Sequence, residues 1–306
     1  MFRFVLRRLL ITVPMVLVVI TLTWALIRLA PGNFYQNERP LPPTIEKNIR
    51  ARYGLDKPWY VQYGRVMGGI LRLDFGSSLR YENETVNDIL RRTLPISAAI
   101  GTLAYLLALV VGITMGTLAA LKQNSKTDYA AMALSMLGIS VPNFVLGPIL
   151  VLIFSLTLFW LPPARWGGFP SWNLVLPVLT LSAVYTAYIA RLTRAGMLEV
   201  LRSDYIRTAR AKGLTERQVV MRHALRGGLL PVVSFTGPAL AILITGTVVV
   251  ERIFAMPGLG NYFINANLSR DEPLILGIVA FTSMMVLIFN LLVDVAYGYI
   301  DPRVRY

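Results

Sequence analysis

Six stretches of this chain carry no Asp, Glu, Lys or Arg: residues 9–27, 93–121, 129–164, 166–190, 227–250 and 273–293. They are 19, 29, 36, 25, 24 and 21 residues long. An α-helix needs roughly 20 apolar residues to cross the hydrocarbon of a bilayer. The pattern therefore predicts an all-α integral membrane protein with six transmembrane helices. The third stretch is longer than one crossing requires and holds Pro142, Pro148 and Pro162-Pro163. It reads as a long or kinked helix followed by an outer loop near Pro162. A re-entrant break at Pro142 is the second reading, since membrane helices tolerate proline.

The polar segments divide the chain. Residues 1–32 form an N-terminal transmembrane helix ending at Ala30-Pro31-Gly32, read as a retained span rather than a cleaved leader. Residues 33–92 form an outer, periplasmic insertion that opens with Arg39-Pro40-Leu41-Pro42-Pro43. A helix is expected from Thr44 to Tyr53, ended by Gly54. A segment of this size is marginal as an independent domain. Residues 93–306 hold the other five helices, with a cytoplasmic segment at about 195–228. Gly112-x-x-x-Gly116 permits close helix approach, either inside the bundle or at a dimer face.

The most informative polar segment lies between Ser203 and Pro231. Ser203-Asp204 can cap a helix through Tyr205, Ile206, Ala209 and Ala211. Gly213 suits its C-terminal end, and Thr215-x-x-Gln218 resembles a capping box that starts a second helix. Three readings compete: a DNA-binding helix-turn-helix, a segment lying on anionic lipid, and a short helix docked in a groove of a cytoplasmic protein. For docking, Tyr205, Ile206 and Ala209 could supply a small apolar face. Arg207, Arg210 and Lys212 could supply steering.

Charged residues make up 15% of the chain and the formal net charge is +14; a soluble domain carries about 25% charged residues. The basic residues gather in the segments that are inner if the N-terminus is inside: Arg3, Arg7 and Arg8, Lys122 and Lys126, the 191–226 segment, and Arg303 and Arg305. The positive-inside rule then places both termini in the cytoplasm. The charge reads as a topology signal beside anionic lipid, not a nucleic-acid footprint. There is no cysteine, and the one histidine is His223. A multi-histidine zinc site is excluded, and no Gly-Lys pair exists for a phosphate loop. Ionisable residues well inside the stretches are nearly absent, unlike in proton- or sodium-driven carriers. Glu251 beside Arg252 reads as an interfacial pair or as lining of a pathway exit, and Asp294 as a polar anchor near the inner boundary.

Tyr205-Ile206-Arg207-Thr208-Ala209-Arg210-Ala211-Lys212-Gly213, with Arg222-His223-Ala224-Leu225-Arg226 and Leu230-Pro231, resembles the cytoplasmic coupling motif of ABC-importer permeases. Arg28-Leu29-Ala30-Pro31-Gly32, Leu73-Asp74-Phe75-Gly76, Glu251-Arg252-Ile253-Phe254, Pro257-Gly258-Leu259-Gly260 and Ile300-Asp301-Pro302-Arg303 match as well. The stretch from Glu38 to Pro43 is similar to the B-type subunit of oligopeptide and dipeptide importers. Two departures stand out: Arg207-Thr208-Ala209 replaces the motif's Glu-Ala-Ala, and its closing proline falls at Arg226. The resemblance implies a type I ABC-importer permease architecture in a bacterial inner membrane. It implies a second, homologous permease chain making a heterodimer. It also implies two cytoplasmic ATPase subunits that bind ATP and magnesium, and a periplasmic or lipid-anchored binding protein that delivers peptide. The ATPase-coupling residues would be Tyr205, Arg207, Ala209, Ala211, Gly213, Leu214 and His223. The gate or binding-protein loop would hold Glu251, Pro257, Gly258 and Gly260. This chain would hold no catalytic residue, cofactor or metal. Glutathione or nickel complexes are the alternative cargoes, and a stand-alone carrier the alternative class.

Overall fold

The computed structural model describes residues 2–30, 56–163 and 165–300, together with 44, 47, 51 and 54. The proline-rich stretch 39–43, most of the helix expected at 44–53, the Pro31-Gly32 end of the first span and the motif at 301–303 lie outside the described residues.

Five helices are long and apolar enough to cross a membrane. They lie in α1 (Phe2–Leu29), α3 (Val86–Leu121), α6 (Val175–Leu201), α9 (Leu230–Thr245) with its continuation α10 (Val248–Ile253), and α12 (Glu272–Ile300). The sixth crossing is a broken pair, α4 (Lys126–Ser140) and α5 (Asn143–Leu150, continued by wider π turns over Val151–Thr157), bent by 104°. The break falls where Pro142 follows Val141, and proline disfavours a helical conformation at the residue before it. The kinked-helix reading is thus corrected to a full break. The pair still travels from one end of the bundle to the other. Asp128 at the start of α4 binds Arg194 near the C-terminal end of α6. A methyl group on Gly138 of α4 would sit 2.7 Å from the Ala183 carbonyl oxygen, further along α6, and one on Gly147 of α5 would sit 3.2 Å from the Phe254 ring, at the other end of the bundle.

α3 starts at Val86, ahead of the charge-free stretch, on a capping box: the Asp88 N–H donates to Thr85 Oγ1 at 3.1 Å and the Thr85 N–H to Asp88 Oδ2 at 3.2 Å. It buries small residues at helical spacing, among them Gly101, Ala104, Ala108, Gly112, Gly116 and Ala119. Gly101 packs against α9, where a methyl group would sit 2.3 Å from the Leu243 carbonyl oxygen, and Gly112 and Gly116 pack against α6. A methyl group on Gly112 would sit 2.9 Å from the Thr186 carbonyl oxygen, and one on Gly116 2.4 Å from that of Ala190. The Gly112/Gly116 pair therefore works inside the bundle, where close backbone approach takes the place of hydrophobic drive.

In the insertion, α2 (Trp59–Leu71) lies along α1, with Tyr63 edge-on to Trp24 at 5.2 Å and its hydroxyl 2.8 Å from Thr21 Oγ1. The turn at 78–80 is held by buried Asp271, which accepts from the Ser78 hydroxyl and from the Leu79 and Arg80 N–H groups. α1 and α12 run antiparallel. Arg28 lies 3.6 Å from Glu272 at one end, and Arg8 pairs with Asp294 at 3.0 Å at the other. Asp294 is thus the anchor expected of it, with a partner the sequence did not name.

Candidate functional site

At the end of the bundle that carries the basic segment, α7 (Asp204–Ala211) is a short helix closed by a two-bond C-cap. The Gly213 N–H donates to the Arg210 carbonyl at 2.9 Å, and the Leu214 N–H to the Ala209 carbonyl at 3.4 Å. This geometry places the residue after the cap at positive φ, and Gly213 sits at +78°. The next helical stretch, α8, runs through Glu216–Gln218, the wider turns Val219–Ala224 and Leu225–Gly228. It starts on the expected box: the Thr215 N–H donates to Gln218 Oε1 at 3.0 Å and the Gln218 N–H to Thr215 Oγ1 at 3.4 Å. Ser203 occupies the N-cap of α7, but its hydroxyl donates back to the Val200 carbonyl at 2.6 Å and caps nothing.

The apolar face of α7 is already used. Ile206 and Ala209 are buried with Ala120, Met197, Val219, Val220 and Ala224, and Leu214 packs against them. The expectation that Ile206 and Ala209 supply a free docking face is therefore corrected: they seat the helix on its own chain. Tyr205, Arg207, Thr208, Arg210, Ala211, Lys212 and Gly213 remain exposed. Arg207 pairs with Asp204 within the helix, and Arg210 with Glu216 at 2.7 Å. His223 is half-buried in the wider turns of α8. Among the described residues no group of His, Asp or Glu could hold a metal.

The seat is tied to the membrane helices. A methyl group on Gly196 of α6 would lie 2.3 Å from the Gly228 carbonyl oxygen of α8. Arg194 binds Asp128 through Nε at 2.6 Å and Nη2 at 2.7 Å, joining α6 to α4. Short contacts thus join the α7–α8 seat to α6, and α6 to α3 and α4.

At the opposite end of the bundle, Glu251 of α10 is 1% exposed. Its Oε1 accepts from the Ser97 hydroxyl of α3 at 2.7 Å, and its Oε2 from the Gly260 N–H at 2.9 Å. Ser97 Oγ in turn accepts from the Leu259 N–H at 2.9 Å. A methyl group on Gly258 would fall 2.4 Å from the Glu251 carboxyl carbon, and one on Gly260 2.9 Å from Oε2. Glycine at both positions lets the turn fold around the carboxyl group. The expected Glu251–Arg252 pair is corrected: the carboxyl group points inward, and Arg252 is exposed. Of the predicted loop residues only Pro257 is exposed; Gly258 and Gly260 are buried.

Residues 112–306 match the model of the binding-protein-dependent transport system inner membrane component, and residues 1–101 match that of its N-terminal part. The chain belongs to this family. It is 44% identical over 306 residues to the oligopeptide transport system permease protein OppB of Haemophilus influenzae, covering 100% of both chains. It is equally 44% identical to OppB of Escherichia coli K12 over the same length. The dipeptide transport system permease protein DppB of Bacillus subtilis is 41% identical over 305 residues, covering 100% of this chain and 98% of the relative. In fold the permease resembles the inward-facing MetNI methionine ABC transporter, with a TM-score of 0.58 at 17% identity over 70% of this chain and 96% of that one. It is thus a multi-pass inner-membrane transport subunit of the ABC-importer type, working with ATPase and substrate-binding partners, and not itself an enzyme.

Three contacts escaped the sequence reading. Asp128 could have been noticed, because Ser125-x-x-Asp128 is an N-terminal helix signature, but its partner Arg194 lies on another helix. Ser97 and Asp271 carried no signal, since a lone polar residue beside an apolar run does not reveal what will fold onto it.

Proposed function

We propose that this permease is one half of the transmembrane pathway of a bacterial peptide importer, paired with a second, homologous permease chain as a heterodimer. Two cytoplasmic ATPases bind ATP and magnesium, and a periplasmic or lipid-anchored binding protein delivers the peptide. Both termini lie in the cytoplasm, a placement supported by the basic residues of the inner segments. The peptide cargo is supported by 44% full-length identity to oligopeptide permeases. In this reading residues 1–32 are the first span, 33–92 the periplasmic insertion and 93–306 the permease core.

The observation that carries the coupling role is the division of α7 into two faces. One face is buried on the permease's own helices, and the other is exposed and basic. Tyr205, Arg207, Ala211 and Gly213 meet the ATPase. Ala209 and Leu214 hold the lever to its seat, and His223 lies in the return helix. When the ATPases close on ATP, the helix moves, and the α6–α3–α4 unit moves with it. The pathway between the two permease chains then opens outward, and hydrolysis returns it. The Glu251 turn, with Gly258 and Gly260 wrapped around it and Pro257 exposed, forms the outer gate.

Gly213→Pro tests this. Proline fixes φ near −65° and removes an N–H, whereas Gly213 needs +78° and donates to Arg210. The variant should insert and assemble, and ATP hydrolysis should continue, while peptide uptake falls to background. Normal uptake by the variant would overturn the coupling role.

A further inference from the structure

Two arginines one turn apart on α6 have different fates. Arg194 is fully engaged by Asp128. Arg191 is exposed, and among the described residues its one contact is the ring of Tyr188, 5.5 Å from the guanidinium carbon. Tyr188 is itself held. Its ring lies 5.8 Å from Phe235 of α9; Phe235 lies 6.2 Å from Tyr185, and Tyr185 lies 6.3 Å from Tyr105. Tyr105 is buried, and its hydroxyl is 2.7 Å from Thr236 Oγ1. A ladder of four rings thus runs from the core to the surface and ends under a cation whose hydrogen-bond donors are free.

α6 is the most buried of the five unbroken spans, with 50% of its apolar window inside the chain against 11–39% for the others. A helix so central to the bundle leaves exposed a strip of Tyr188, Arg191, Ala195 and Glu199, and in the paired-permease reading that strip is the part of α6 left to face the second chain. Arg191 directly follows the charge-free stretch 166–190, at the end of its span, where a pathway between two permease chains would have its mouth, and ionisable residues that line such cavities mark pathways. We propose that Arg191, steadied by Tyr188 and Phe235, is a cargo contact in the translocation pathway that takes the C-terminal carboxylate of the peptide. The proposal rests on the peptide-importer reading above. A guanidinium binds a carboxylate through two parallel hydrogen bonds. An importer of varied peptides can rely only on what every cargo shares, and the terminal carboxylate is one such group. The flat rings beside it accept differing side chains without demanding any of them.

The test uses the complete transporter, both permeases with ATPases and binding protein, in vesicles prepared with and without anionic lipid. Uptake is compared for one peptide as the free acid and as the C-terminal amide, in wild type, Arg191→Gln and Arg191→Lys. Wild type should prefer the free acid. Arg191→Gln should lower free-acid uptake about tenfold, the loss of one charge-assisted contact, and leave amide uptake unchanged. Arg191→Lys should keep part of the preference, and wild-type abundance in the membrane separates this loss from misfolding. A preference that survives Arg191→Gln overturns the contact. So does an equal loss for both cargoes, whether general or confined to vesicles with anionic lipid, where Arg191 would be binding a headgroup. Wild type that moves neither cargo overturns the importer reading and the contact with it.

Discussion

The two ends of the α3–α6–α9 core, inner and outer in the proposed orientation, are closed by opposite chemistry. At the inner end α7 rests on an apolar seat of Ile206, Ala209, Met197 and Val220, and the nearby buried carboxylate, Asp128, has a cation on it. The polar groups of α7 are satisfied locally by the Gly213 cap and by ion pairs on its surface. At the outer end one carboxyl group, Glu251, gathers Ser97 and the Gly260 N–H, and among the described residues no cation pairs with it. A seat made of many small apolar contacts yields gradually when altered. A turn folded around a single side chain depends on that side chain. In the proposed mechanism the α7 end would transmit force through a stiff joint, and the Glu251 end would open or close through one contact.

This contrast is broken most directly at Glu251. Glu251→Ala leaves the Ser97 hydroxyl and the Gly260 N–H buried without their acceptor, and should cost about 3 kcal/mol. The loss should appear as a lowered unfolding midpoint of the purified permease pair. Arg194→Ala should cost less, about 2 kcal/mol, because it strands Asp128 while Arg194 is itself 27% exposed and partly screened. If Arg194→Ala proved the more damaging, the inner end would be the single-contact end and the comparison would be reversed.

The spans were legible because a charge-free run of 19 residues or more has few fates other than a membrane helix. The caps at Gly213 and Thr215 were legible because their chemistry is local, contained within four or five residues. The face of α7 was not. The same small apolar residues serve an internal seat or an external partner, and only the arrival of Met197 and Val220 decides for Ile206 and Ala209. Likewise Glu251 looked like a partner for adjacent Arg252. Neighbours on a helix point in different directions, so the contact came instead from Ser97, distant in sequence. The bend at Pro142 was visible as a proline, but its 104° magnitude depends on how α5 packs against Phe254 through Gly147.

The smallest expected effect sharpens what the exposed face of α7 does. Arg210→Ala and Glu216→Ala each remove the same surface ion pair, 41% and 64% exposed on its two sides. Exposed pairs contribute less than about 0.5 kcal/mol, so both variants should unfold within a degree or two of wild type. Their docking should differ. If the basic face meets the ATPase, Arg210→Ala removes a charge that steers and rims that contact. It should weaken ATPase binding to the permease pair, more at low salt than at high, since screening already removes the contribution at high salt. Glu216→Ala frees the Arg210 guanidinium from its internal partner, and should leave that affinity unchanged or raise it. Titration of the ATPase onto the two variants at two salt concentrations separates the cases. Equal weakening by both would mean that the partner reads the shape of the α7–α8 turn, not its charge.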